Sequence, residues 1–282
     1  MPLCFFASDL HGSLPRYRRL FALVARERPL AVFLGGDLLP SRGRASTRGP
    51  FIESFLLPAL ARLGRRLGPA RPRVFLILGN DDPRAAEPAF LEGERRGLCE
   101  YLHLGQTTLH GHPVFGYSCV PPTPFLLKDW ERYDVSRFVD VGAVSPEEGL
   151  RSVPESADEI RFGTIQRDLA ALTGDEDLSR AIFLFHAPPY GTALDRAALD
   201  GRRVDGVPVD VHVGSIAIQR FIEARQPLLT LHGHVHEAAR LTGEWRARLG
   251  ATHALGAAHD GPELALVRFD PDDPAGATRT LC

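Results

Sequence analysis

Short apolar runs recur along the chain, with enough polar sequence between them for a helix. They are rich in β-branched and aromatic side chains and lie at residues 3–6, 31–34, 74–78, 114–117, 181–185, 228–231 and 264–269. Most are continuously apolar rather than alternating. This pattern is typical of strands that are buried on both faces.

Helical patterns separate several of these runs. Ser13 can cap a helix that runs to about Glu27. Residues 51–66 carry apolar side chains at helical spacing, and a third helix is predicted between Ser215 and Pro227. Strands that alternate with helices predict an α/β fold. The later strands are more mixed, so part of the sheet is expected to be antiparallel.

Two irregular stretches interrupt this alternation, at 121–159 and 187–213. We interpret the first as a long insertion over the sheet edge, either a functional lid or surface cover. Its aromatic residues Trp130 and Tyr133 are expected to anchor the loop, with stacking on a substrate as the less favoured alternative. The whole chain, 1–282, is interpreted as a single domain that carries this insertion.

Composition disfavours some classes of partner. The 282 residues have a net charge of −2 and 44% hydrophobic residues. A net charge this small gives the chain no overall electrostatic attraction to nucleic acid or to a membrane surface. No apolar run is long enough to span a bilayer. A small-molecule substrate is therefore expected, with nucleic acid and membrane disfavoured and the oligomeric state open.

The compartment is suggested by the cysteines and the first residues. Cys4, Cys99, Cys119 and Cys282 show no paired spacing, which favours a reduced, cytoplasmic protein over a disulfide scaffold. The start lacks a basic segment and is interpreted as a core strand rather than a signal peptide.

Metal-binding side chains follow five of the predicted strands. They are Asp9 and His11, Asp37, Asn80, His186, and His234 with His236. Residues i and i+2 of an extended segment point to one side, so each paired motif is expected to project two ligands together. Ligands of open α/β sheets gather beyond the carboxyl ends of the strands. These side chains should share one crevice and suit two divalent ions that assist hydrolysis at phosphorus.

In this order, D-x-H, GD, GN, a single His and G-H-x-H, the motifs resemble those of the calcineurin-like metallophosphoesterases. The resemblance implies a four-layer α/β/β/α sandwich with mixed sheets. The aromatic residues and the position of the insertion around 121–159 suggest that it covers the active-site side. The resemblance also implies a first metal held by Asp9, His11 and His236 and a second held by Asn80, His186 and His234. Asp37 would bridge the two ions. Mn, Fe, Zn, Co and Ni all fit such mixed nitrogen and oxygen ligands.

The activity implied is hydrolysis of a phosphodiester or an activated phosphomonoester by a hydroxide that bridges the two metals. Asp37, Asn80 and Asp81 are the candidate catalytic residues, and Asn80 can also hydrogen-bond a phosphate oxygen. Two other readings stay open. The chain could be a catalytically weak or inactive binding scaffold, or it could be a nuclease. A nuclease needs a basic groove, and the net charge of −2 disfavours one.

One position departs from the family pattern. The residue after the Asn is usually a His that binds phosphate and protonates the leaving group, whereas here it is Asp81. Another group could donate the proton, the leaving group could need little help, or Asp81 could orient a ligand or a water. His112, His212 and His232 are unranked candidates for the missing role. The loop arginines Arg42, Arg44 and Arg48 could also contact substrate phosphate.

Overall fold

The computed structural model describes residues 2–41 and 51–282. In chain order its strands are β1 (Cys4–Ala7), β2 (Ala31–Gly35), β3 (Arg73–Ile77), β4 (Glu100–Tyr101), β5 (Gly105–Leu109), β6 (His112–Tyr117), β7 (Ile182–Phe185), β8 (Arg203–Val204), β9 (Val207–Pro208), β10 (Leu229–His232), β11 (Arg246–Leu249), β12 (Thr252–Gly256), β13 (Ala265–Asp270) and β14 (Asp273–Leu281). The α-helices are α1 (Leu14–Glu27), α2 (Leu57–Leu67), α3 (Glu87–Arg95), α4 (Ala157–Phe162), α5 (Ile165–Thr173), α6 (Ile216–Arg225) and α7 (Ala238–Thr242). A π-helical stretch, Ile52–Leu56, leads into α2.

Within the described residues, the strands form two six-stranded mixed sheets and one small hairpin. The first sheet has the order β14-β13-β1-β2-β3-β4 and the second β11-β12-β10-β7-β6-β5, while β8 pairs with β9. Strands β1 to β4 are parallel to one another, and so are β6, β7, β10 and β12. The outer strands β13, β14, β5 and β11 pair antiparallel. The carboxyl ends of the central strands therefore face one end of the molecule.

Alternate residues of each strand pack on opposite faces. Phe6 and Phe33 belong to an apolar cluster that also contains Leu184 and Leu231 of the second sheet, so these side chains join the two sheets. On the outer face of the second sheet, Phe221 of α6 packs edge-on against Phe183, with ring centroids 5.1 Å apart. Burial on both faces explains the continuous apolar runs of the sequence.

The helix starts agree with the capping signals. The Ser13 hydroxyl accepts a hydrogen bond from the Arg16 amide at the start of α1. Ser215 does the same for Ile218 at the start of α6. A helix also covers 57–67, as its apolar spacing indicates, after the π-helical stretch. No helix in the part of the chain that the structure describes is long and apolar enough to cross a membrane.

The predicted sandwich of two mixed sheets flanked by helices is confirmed. Each predicted strand is present to within two residues of its predicted limits.

Candidate metal centre

The candidate ligands follow the carboxyl ends of neighbouring parallel strands. Asp9 and His11 come after β1, Asp37 after β2, Asn80 after β3, His186 directly after β7, and His234 with His236 after β10. Backbone hydrogen bonds join these loops: the amides of Asp9 and His11 donate to the carbonyls of Gly36 and Asp37. The topology thus brings distant parts of the sequence together at one end of the sheets.

The backbone at these positions corrects one expectation. The D-x-H and H-x-H motifs are expected to be extended, but both lie beyond the ends of their strands. Asp9 (φ 55°), His11 (φ 44°), Asp37 (φ 51°) and His234 (φ 73°) all adopt left-handed backbone. That conformation costs a non-glycine residue on the order of 1 kcal/mol and is found preferentially at functional sites. The side chains therefore converge through strained turns rather than through strand alternation.

Two glycines allow the loops to approach closely. Gly36 has φ 90°, and a Cβ there would lie 2.6 Å from Nδ1 of His186. A Cβ on Gly79 would collide with Asp37 Oδ1 and with His186 Nε2. A side chain at Gly36 would therefore displace His186, and one at Gly79 would displace Asp37 and His186.

One group of side chains consists of Asp9, His11 and His236. His236 Nε2 lies 3.3 Å from Asp9 Oδ1 and 3.1 Å from His11 Nε2. Asp9 is fully buried, and its carboxylate also accepts the backbone amide of His234 at 3.1 Å. Together with Asp37, these residues offer ligand atoms that all lie within 4.8 Å of one another.

A second group consists of Asn80, His186 and His234. The buried His186 donates from Nδ1 to the Gly35 carbonyl at 2.7 Å, which fixes the ring and aims Nε2 at Asn80 Oδ1, 3.0 Å away. The ring of His234 lies 5.2 Å from that of His186. A backbone carbonyl bound to one ring nitrogen is the usual support for a histidine whose other nitrogen binds a metal.

Asp37 lies between the two groups. Its Oδ2 is 3.4 Å from His186 Nε2 and 3.9 Å from His11 Nε2. The other oxygen, Oδ1, accepts the Asp81 amide at 2.8 Å. Asp37 thus has one carboxylate oxygen that faces a ring nitrogen from each group.

The carboxylates and imidazoles of the site shift one another's pKa values. Burial disfavours the charged form of Asp37, yet the adjacent His186 and His11 lower the pKa of its carboxyl to about 2. Burial likewise opposes charge on His11, but Asp81, Asp37 and Asp9 together raise the pKa of its imidazole to about 9.

Burial and the neighbouring His186 lower the pKa of His234 to about 3, so that ring is neutral. The short distance between the facing Nε2 atoms of His11 and His236 requires a proton or a cation between them. The donor set, imidazoles with carboxylates and an amide, fits divalent transition metals.

Asp81 is placed beside a candidate ligand. Its Oδ2 lies 3.4 Å from Nδ1 of His11. The hydrogen bond with His11 is the main cause that lowers the pKa of Asp81, against the effect of burial. An ionised carboxylate behind a histidine orients the ring and increases its basicity.

The three candidate proton donors differ in position. His112 uses both ring nitrogens, on the Arg180 carbonyl and on Asp272. His232 is buried with its ring nitrogens 2.8 Å from the Ala187 carbonyl and 2.7 Å from the Thr230 hydroxyl. Among these three, only His212 lines the cleft above the candidate ligands.

Sequence reasoning missed two supporting residues. The carboxylate of Asp82 is fully buried and accepts the amides of Leu38, Leu39 and Gly79, which ties the loop after β2 to the loop after β3. Arg16 donates to the Asp9 carbonyl at 2.7 Å. The position of Asp82, directly after Asn80 and Asp81, could have indicated its role. Nothing in the sequence indicated the role of Arg16.

A cleft of about 900 Å³ opens above the site. Its lining includes His11, Asp37, Asn80, Asp81, His234 and His236, together with residues from 121–125, 140–143 and 197–214. Trp130 and Tyr133 are buried rather than in this lining, as expected for loop anchors. Arg42, Arg44 and Arg48 lie outside the described residues.

Comparison with known proteins supports the resemblance. A family model described as calcineurin-like phosphoesterase matches residues 4–238. The chain belongs to the calcineurin-like phosphoesterase family. No curated protein matches it.

Solved structures with the same fold are distant in sequence. The protein TT1561 of Thermus thermophilus is 18% identical with a TM-score of 0.56, over 99% of this chain and 98% of that one. A dimetal phosphatase from Danio rerio is 13% identical with a TM-score of 0.53, over 94% of this chain and 91% of that one. Another solved structure has a TM-score of 0.61 at 15% identity, over 99% of this chain and 98% of that one. These likenesses establish the fold.

Proposed function

We propose that this protein is a metal-dependent phosphoesterase that hydrolyses a small phosphate ester at a centre of two divalent ions. The observation that carries the proposal is the position of Asp37 between two groups of ligand atoms. Its Oδ2 approaches His186 Nε2 at 3.4 Å and His11 Nε2 at 3.9 Å. A carboxylate so placed is suited to bridge two ions, which the family membership also supports.

Asp9, His11 and His236 would hold one ion, and Asn80, His186 and His234 the other. Divalent ions bound there would neutralise charge on the phosphate oxygens and lower the pKa of a bound water. The choice among Mn, Fe, Zn, Co and Ni is left open, because mixed nitrogen and oxygen ligands accept all of them.

The protein groups have separate tasks in this scheme. The Asn80 amide is suited to donate to a phosphate oxygen, because its nitrogen carries two donors. Asp81 would orient His11 through Nδ1 rather than donate a proton, since its carboxyl is held in the ionised form. The Gly35 carbonyl holds His186 in the tautomer that leaves Nε2 as the ligand atom.

We also propose that the chain is a single domain in which 121–159 covers the active-site side. Residues 121–125 and 140–143 line the cleft, and the Phe125 side chain is exposed there. These residues, rather than Trp130 and Tyr133, would contact the part of the substrate beyond the phosphate.

The experiment is an assay of protein stripped of metal and reconstituted with each candidate ion in turn. The substrates are bis(4-nitrophenyl) phosphate and 4-nitrophenyl phosphate, which separate diester from monoester hydrolysis. We expect turnover that requires metal and is lost in Asp37→Asn. The matched control is Asp270→Asn, an aspartate at the end of β13 outside the cleft lining, which should behave as wild type. Stoichiometric metal binding with no turnover of any ester would support the inactive scaffold instead.

A further inference from the structure

One wall of the cleft above the candidate ligands carries a histidine, His212. Val213, the neighbour of His212, packs against the small apolar cluster that contains Val235, and Val235 separates His234 from His236. The Ser215 amide donates to the Pro188 carbonyl at 2.9 Å, two residues beyond His186. The segment that holds His212 is therefore attached to two of the ligand-bearing loops.

The ring of His212 is fixed by a buried carboxylate. Its Nδ1 lies 2.8 Å from Asp195 Oδ1. Asp195 is fully buried and also accepts the backbone amides of Gly191, Thr192 and Gly214 at 2.9, 2.9 and 3.2 Å. With so many donors directed at it, Asp195 is held rigidly and acts as an acceptor from the ring.

The side chain that carries the other ring nitrogen is among those that line the cleft. Nε2 is on the ring edge away from Asp195, and the side chain is 33% exposed. Tyr190 packs edge-on against the ring with centroids 5.9 Å apart, while its hydroxyl donates to Asp210. The Asp210 carboxylate also accepts the His212 amide. The ring and the backbone of His212 are thus both restrained. A side chain that acts on a substrate atom needs such restraint.

We propose that His212, oriented by Asp195, is the proton donor to the leaving group. The proposal rests on the proposed phosphoesterase function and extends its substrate class. A donor at this position makes unactivated alkyl phosphate esters competent substrates, not only diesters and nitrophenyl esters.

The step is a hydrolysis that consumes one water. The water oxygen forms a bond to phosphorus, and the bond from phosphorus to the leaving oxygen breaks with its electron pair on that oxygen. His212 Nε2 gives its proton to the leaving oxygen, so an alcohol departs. The attacking water releases a proton to solvent, and the neutral imidazole regains one from solvent. Throughout, Nδ1 keeps its proton on Asp195, which leaves Nε2 as the exchanging atom.

The leaving-group dependence of the rate tests this assignment. The probes are 4-nitrophenyl and simple alkyl esters of the same phosphate, and kcat and KM are measured for each with metal content checked. For His212→Gln we expect kcat on the alkyl esters to fall about 10²–10⁴-fold, while the nitrophenyl esters change by less than about threefold, because nitrophenolate leaves without a proton. Asp195→Asn should lower the same rates less, and KM should stay the same in both variants.

Two variants serve as comparisons. His110→Ala, at an exposed histidine outside the cleft lining, should match wild type. Asp81→Asn should slow all esters alike. An equal loss on both ester classes in His212→Gln, or no loss on either, would overturn the proposal and leave the phosphoesterase function intact. If His212→Gln loses metal, His212→Asn is measured by the same criterion. Wild-type protein that turns over no ester with any metal would reject the proposed function and this assignment with it.

Discussion

Replacing Lys128 should destabilise the segment that forms one wall of the cleft. Lys128 is the only lysine in the chain, and its side chain is fully buried. Its Nζ lies 2.5 Å from Glu131 Oε2 and 2.8 Å from the Thr123 carbonyl. Thr123 lines the cleft and donates to Glu131 from both its amide and its hydroxyl.

The expected loss in the free energy of unfolding follows from the charge that Lys128→Met leaves without its partner. Removing one partner of a buried ion pair costs about 3–5 kcal/mol, because the remaining charge is stranded. Glu131 keeps its two hydrogen bonds from Thr123, so we expect the low end, about 3 kcal/mol. For a chain of 282 residues that corresponds to a fall in Tm of roughly 5 °C.

The loss of stability in Lys128→Met should depend on pH. Burial is the main cause that raises the pKa of Glu131 to about 7, while Lys128 and Thr123 act to lower it. A carboxyl whose pKa is raised in the folded state contributes stability below its unfolded pKa and loses it as pH rises through the folded pKa. Without Lys128 the pKa rises further, so the deficit of Lys128→Met should grow from pH 5 to pH 8.

Urea unfolding, followed by tryptophan fluorescence to which Trp130 contributes, gives the free energy of unfolding at each pH. Arg95→Met, which breaks an exposed pair with Glu92, is the control and should cost at most about 1 kcal/mol. Adding Glu131→Gln to Lys128→Met should recover most of the loss. A deficit below about 1 kcal/mol at pH 8, or one that shrinks as pH rises, would refute the reasoning.

Two other predictions concern the site and its cover. Asp37→Asn should reduce kcat more than Asp9→Asn, because Asp37 Oδ2 lies near a ring nitrogen of each ligand group, whereas the Asp9 carboxylate meets the second group only through the His234 backbone amide. The comparison is made at matched protein concentration with metal content measured, and equal losses would contradict a bridging role. Phe125→Ala should raise KM with metal content unchanged, whereas Trp130→Ala should lower stability. Trp130→Ala with wild-type stability but altered substrate preference would restore the stacking alternative.

The sequence was informative where local pattern and tertiary structure agree. The buried central strands are apolar on both faces, so their positions could be predicted from the sequence alone. Strands β11 and β14 could not, because their sequences RARL and DPAGATRTL carry polar side chains. What holds such edge strands is backbone pairing with a neighbour that is distant in sequence.

The site was predictable in its ligand types but not in its supports. Asp9 and His11 could be chosen as ligands from their place after an apolar run, yet their left-handed backbone depends on contacts with the loop after β2. Asp195 lies in an irregular stretch with no periodic signal, and its role emerges only from the fold that brings His212 onto it. The base composition of the gene is enough to explain one lysine among many arginines. The burial of Lys128 against Glu131 therefore could not be inferred from the sequence.

The central claim is a two-metal centre bridged by Asp37. The most direct measurement is a crystal structure of protein loaded with Mn, with anomalous scattering collected to locate each ion. We predict two peaks about 3.5–4 Å apart, one beside Asp9, His11 and His236 and the other beside Asn80, His186 and His234, with Asp37 touching both. A single peak, or peaks remote from Asp37, would contradict the account.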